Sequence, residues 1–131
     1  MFFSGKAFGF LRGGTIGVGD DAGFIYSIYG FGLLRELELH QEAGFHTLKV
    51  IQHATANNAK ILGQQNKLGR IRAGFAGDVL ILNGNPLEDL KILYPTNGGI
   101  EWTIKEGIPY HAPTLAAEVR KLVTDARASK P

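Results

Sequence analysis

The run Gly17-Val18-Gly19-Asp20-Asp21-Ala22-Gly23 constrains this chain more than any other stretch. Thr15, Ile16 and Val18 are β-branched and uncharged, the pattern of a short buried strand. Polarity then jumps to two adjacent acids, set among glycines that let the backbone turn sharply or pass close to another group. A carboxylate at the C-terminal end of a buried parallel strand is where α/β barrels and open α/β sheets place their chemistry. The competing reading is structural, with Asp20 and Asp21 as turn acids bonded to local backbone N–H groups.

The remaining composition narrows the class. A chain of 131 residues, 44% apolar and 20% charged, is globular and long enough for one domain with a core. Its formal net charge is only +2 and its Lys and Arg residues are scattered, so no nucleic-acid partner is expected. The absence of cysteine excludes a disulfide framework and a thiolate metal site, leaving His, Asp, Glu or modified Lys as metal ligands. No apolar run approaches membrane-spanning length, so no membrane partner is expected either. The first six residues lack the ordered regions of a secretory signal.

In order along the chain, residues 1–12 read as the tail of a helix ending at Gly13-Gly14. Their side chains Phe2, Phe3, Phe8, Phe10 and Leu11 need a partner surface. Residues 15–19 form the strand, and residues 24–32 an aromatic, glycine-rich loop. Residues 33–43 read as a helix in which Leu33, Leu34 and Leu37 give an apolar face and Arg35, Glu36, Glu38 and Glu42 face water, stopped by Gly44. Thr47 is placed to cap a second helix, which breaks and restarts near Thr55 and ends at Gly63. From Leu68 the period becomes strand-like. Short strands are expected at Ile71, at residues 78–82 (buried), and at 101–105 paired with 108–111 across Glu106-Gly107. Turns fill residues 72–77 and 83–86, and one helical turn follows over 86–90. A last helix opens at Pro113 or Thr114, with Leu115, Val119, Leu122, Val123 and Ala126 on one face.

Taken together, these segments resemble the C-terminal end of the metal-dependent amidohydrolase superfamily, in particular its imidazolonepropionase-like and prolidase-like members. Gly19-Asp20-Asp21-Ala22 stands where the family usually has Gly-Thr-Asp-Ala after its eighth barrel strand. Residues 36–62 resemble the helices that follow, including the run from Ala54-Thr55 to Gly63. Residues 68–85 resemble the Ile-Gly…Pro-Gly-Lys-Ala-Asp-Leu-Val-Val-Leu-Asp-Gly-Asn signature, and residues 101–107 a closing sandwich hairpin. The resemblance runs from Thr15 to Tyr110. It implies an α/β fold: the C-terminal fragment of a (β/α)8 barrel (last strand and helices), part of a small β-sandwich, and a terminal helix. The implied divisions are 1–67 for the last βα unit or units, 68–112 for part of the sandwich, and 113–131 for the helix.

The family's metal centre uses a His-x-His pair, a lysine or glutamate, two further histidines and the aspartate after the eighth strand. Only that aspartate is matched here. Alignment makes it Asp21, as catalytic residue and metal ligand, with Asp20 as the backup one position earlier. The implied cofactor is a divalent metal, zinc as first choice, in a complete enzyme, the site being incomplete in this chain. Such a metal activates a water and polarises the substrate carbonyl. A carboxylate beside that water can take its proton and pass it to the leaving amine. The four histidines, His40, His46, His53 and His111, read as solvated or capping, with His40 on the exposed helix face.

Two functions follow from this reading. One is the C-terminal segment of a hydrolase of amide or other C–N bonds in non-peptide or dipeptide-like small molecules, inactive when isolated. The other is a stand-alone, non-catalytic binding or assembly domain that keeps the fold remnant. Under the first, residues upstream of Met1 are missing, and the partner is the missing N-terminal part of the barrel or a second copy of the chain. Its mark would be a large exposed apolar patch.

Overall fold

The computed structural model describes residues 13–23 and 29–129. The readings for residues 1–12, and for residues 24–28 of the aromatic loop, lie outside them. In chain order the elements are α1 (Gly32–Glu42), α2 (Thr47–Gln52), a π-helical turn (His53–Asn57), α3 (Asn58–Ile61), β1 (Val79–Leu82), β2 (Ile100–Lys105), β3 (Ile108–His111) and α4 (Ala112–Ala128). Two 3₁₀ turns, Leu90–Leu93 and Pro95–Asn97, lie between β1 and β2.

Glycine ends the helices as expected. Gly44 (φ 89°) follows α1 and Gly63 (φ 68°) follows α3, both in the left-handed region that favours this residue. The break near Thr55 is the π turn, which carries the backbone from α2 into α3 without interruption. Thr47 is not a cap: it is the first helical residue, and His46 holds the N-cap position without a side-chain bond.

The core packs Val18, Leu37, Val50 and Leu90 together, with Leu34, Phe45, Ile51, Ala54 and Leu93 around them. It therefore joins residues 16–18, α1, α2 and the 3₁₀ turn. Each of these buried side chains contributes on the order of 2 kcal/mol.

The sheet is antiparallel in the order β1-β2-β3, with Val79 opposite Ile104, Thr103 opposite Tyr110, and a register shift between Ile81 and Leu82. The expected hairpin is present. Glu106 (φ 53°) and Gly107 (φ 82°) both take positive φ, as a type I′ turn requires. Asp78 secures it, accepting from Glu106 N–H at 2.8 Å and from Lys105 Nζ at 3.0 Å. These contacts, the backbone bond foremost, hold the Asp78 carboxyl below its ordinary range.

Three expectations fail here. Residues 15–19 form no strand, because among the described residues no strand lies beside them to complete a ladder. Ile71 is in no strand either, and is 87% exposed. β1 is not buried, since Leu80 and Ile81 stay 47% and 44% exposed. The apolar face of α4 is uncovered among the described residues: Leu115, Val119, Leu122 and Val123 are all exposed. Leu115 and Val119 line one wall of an apolar groove of about 380 Å³, with Thr103 and Tyr110 of the sheet opposite. Among the described residues no helix is long and apolar enough to cross a membrane.

Candidate active site

The segment that carries the two acids is held by side chains instead of a sheet. Val18 N–H donates to Asn58 Oδ1 at 2.9 Å, and Asn58 Nδ2 donates back to Val18 O at 2.8 Å. Asn57 Nδ2 donates to Ile16 O at 2.8 Å. A primary amide offers the same donor and acceptor as a peptide unit, so Asn58 stands in for a neighbouring strand. Asn57 ends the π turn and Asn58 opens α3, so the clamp sits at the junction of the two. Gly17 lies so close to this clamp that a methyl group there would meet Asn58 Oδ1 and Ile61 Cδ1.

The clamp yields a stability prediction. Asn58→Ala leaves both the N–H and the C=O of partly buried Val18 without their partner, and is expected to cost about 2 kcal/mol. The exposed control Asn66→Ala should stay within about 0.5 kcal/mol of the parent. Urea unfolding of the three proteins measures both, and equal midpoints would refute the clamp.

Beyond the clamp the two acids part. Asp20 is half-buried, and its carboxylate lies against Gly32, the first residue of α1, where a methyl group would collide with it. The α1 N-cap residue Phe31 offers no side-chain cap, so the positive end of the helix faces this carboxylate. Asp21 is exposed, takes φ 49°, and makes no hydrogen bond or ion pair among the described residues. A non-glycine residue in the left-handed region costs of order 1 kcal/mol, although aspartate tolerates it better than most. Asp20 is thus engaged with the fold, while Asp21 is presented outward at a turn.

The histidines divide in a way the sequence reading does not foresee. His46 is exposed. His111 closes β3, with its ring 4.8 Å from Trp102 and Nδ1 2.7 Å from Thr114 Oγ1. His40, expected in solvent, is buried at 3% exposure, and His53 at 1%. Their Nδ1 atoms meet at 3.0 Å, with Phe45 edge-on to His53 at 4.9 Å. One Nδ1 must carry the shared proton and the other accept it, so the two rings hold opposite tautomers. Burial first, then His40 and Lys49, pushes the His53 pKa below its ordinary value.

Among the described residues no three His, Cys, Asp or Glu side chains come together to hold a metal ion. The described residues therefore do not build a divalent metal site on their own. Sequence reasoning missed the amides of Asn57 and Asn58. Their signal was two consecutive amide side chains inside the helical run Ala54 to Leu62, whose other polar side chains are Thr55 and Lys60.

The model of the amidohydrolase family matches residues 16–108. Ochratoxinase from Aspergillus niger is 44% identical over 59 residues, 44% of this chain and 12% of that protein. A structure from Bifidobacterium longum, described as a prolidase, superposes with a TM-score of 0.74 at 37% identity, over 82% of this chain and 26% of that one. A Xaa-Pro dipeptidase solved with methionine in its active site gives 0.68 at 30% identity, over 83% and 25%. The chain thus spans about a quarter of the length of these solved relatives and about an eighth of the curated one.

Proposed function

The chain belongs to the amidohydrolase family, and from that membership we propose that it is the C-terminal segment of a metal-dependent hydrolase of C–N bonds. The observation that carries the reading is Asp21, a carboxylate without a partner among the described residues, at the end of a clamped backbone segment within the matched region. The substrate class we propose is a small, dipeptide-like amide, in line with the prolidase and dipeptidase among the similar structures.

In this reading the chain's own groups have three tasks. Asn57 and Asn58 fix the backbone of residues 16–18, Asp20 anchors the turn against α1, and Asp21 is left to work as a base. Asp21 takes a proton from the attacking water and returns it to the departing amine, so it ends the cycle as it began. A divalent metal, zinc by preference, belongs to the complete enzyme, and its other ligands lie outside the described residues. The rest of the barrel, whether on the same polypeptide or on a partner chain, covers the exposed apolar side chains of α3, β1 and α4. Without it the isolated chain is inactive and self-associates.

The test is to express the chain with the in-frame sequence upstream of Met1, and separately without it. The longer protein is expected to bind metal stoichiometrically and to cleave an Xaa-Pro dipeptide. The 131-residue chain should do neither and should scatter light as an oligomer. A monodisperse 131-residue monomer with bound metal overturns the segment reading. An upstream sequence without a His-x-His pair leaves the non-catalytic assembly domain as the function.

A further inference from the structure

Between Glu42 and Asp78 the chain has no acidic residue, yet it carries Lys49, Lys60, Lys67, Arg70 and Arg72. More than the whole formal charge of +2 is therefore gathered in this stretch. Its C-terminal part folds around a polar pocket of about 400 Å³. Arg70, Arg72, Gln65, Asn66 and Phe75 line it, and no carboxylate does.

The two arginines make no ion pair among the described residues. They flank Ile71 just after a bend at Arg70, and both line the same pocket. The Arg72 guanidinium sits 5.8 Å from the centre of the Phe75 ring. That contact braces the plane of the guanidinium while its edge N–H groups stay available.

The frame around them is built in advance. Phe75 N–H donates to Arg72 O at 3.0 Å, Ala76 N–H to Lys67 O at 2.8 Å, and Lys67 N–H to Gln64 O at 2.9 Å. Gly69 (φ 80°) packs its backbone onto Thr55, where a methyl group would come within 2.7 Å of Thr55 O. The arginine segment is thereby seated on the π turn.

We propose that this pocket binds the phosphate group of a small phosphate monoester. Two guanidinium forks and two side-chain amides surround one space. A tetrahedral dianion with three terminal oxygens can accept from all of them, whereas a planar carboxylate is satisfied by a single fork. The volume leaves room for a small organic body beside the phosphate and falls within the ordinary range of ligand sites.

The experiment is equilibrium dialysis of the 131-residue chain against radiolabelled inorganic phosphate at low ionic strength, a readout that does not depend on oligomeric state. Saturable binding of about one phosphate per chain is expected. Arg70→Gln with Arg72→Gln should weaken it at least tenfold. Lys49→Gln with Lys60→Gln removes the same charge elsewhere and should change it less than twofold. Phenyl phosphate should displace the label at concentrations where succinate does not. Linear uptake overturns the proposal, and so does equal loss in the two double variants, which would mean diffuse charge. Displacement by succinate as readily as by phenyl phosphate also overturns it. The readout is anion binding and not turnover, so failure here leaves the hydrolase reading standing.

Discussion

Asp21→Asn is expected to lower turnover of the complete enzyme by about 10²- to 10⁴-fold, the usual loss when a positioned general base is removed. Shape is kept and only the proton-accepting charge goes. Because Asp21 is exposed and makes no internal bond among the described residues, melting should move by no more than about 0.5 kcal/mol equivalent. The informative comparison is Asp20→Asn. The Asp20 carboxylate lies at the N-terminus of α1, so its loss should weaken the fold while a substantial share of turnover remains. Steady-state kinetics and thermal melts on both variants separate the two roles. The reverse pattern, with Asp21→Asn active and Asp20→Asn dead at unchanged stability, would shift the catalytic assignment by one residue.

Local signals were legible wherever short-range chemistry decides. Glu106-Gly107 specified the hairpin because a two-residue turn with positive φ angles matches the twist of its strands and glycine takes such an angle freely. Gly44 and Gly63 stopped helices for the same conformational reason. Residues 15–19 read as a strand because β-branched residues say that a backbone prefers to be extended, not which groups will satisfy it. Here those groups are Asn57 and Asn58, about forty residues away, and a long-range side-chain clamp leaves no periodic trace.

Residues 79–82 and the Leu115 to Ala126 face are apolar enough for a core, yet much of that surface stays open among the described residues. Hydrophobic pattern marks a face as coverable and does not say what covers it. His40 shows the opposite error. Spaced three residues after Leu37, it continues the inner stripe of α1, just as His53 continues Val50 on the next helix. Placing each histidine by residue type outweighed its helical position, and the pairing of the two was lost with it.

That pair sets the second large effect. His53 is the largest fully buried side chain among the described residues, so His53→Ala opens a cavity and also removes the group that faces His40 Nδ1. The two losses together are expected to cost about 3 kcal/mol, or a fall in Tm of roughly 10 °C for a chain of this length. The pH dependence has a definite sign. The folded-state pKa of His53 lies below its unfolded value near 6.5, so the unfolded chain takes the proton first. The contribution is therefore complete above about pH 6.5 and is lost as pH falls through that value towards the depressed folded pKa. A proton on both rings would also leave two donors facing each other at Nδ1, with Lys49 adding like charge one turn away. The Asp78 carboxyl produces its own acid limb, lower on the pH scale, because its folded pKa is depressed below the carboxylate range. Replacing both rings by leucine (His40→Leu with His53→Leu) should erase the limb below pH 6.5 and leave the Asp78 limb in place. Thermal melts at half-unit steps from pH 8 to pH 3 read both limbs. An unchanged slope between pH 6.5 and 5 in the double variant would show that the imidazole pair does not govern the acid response.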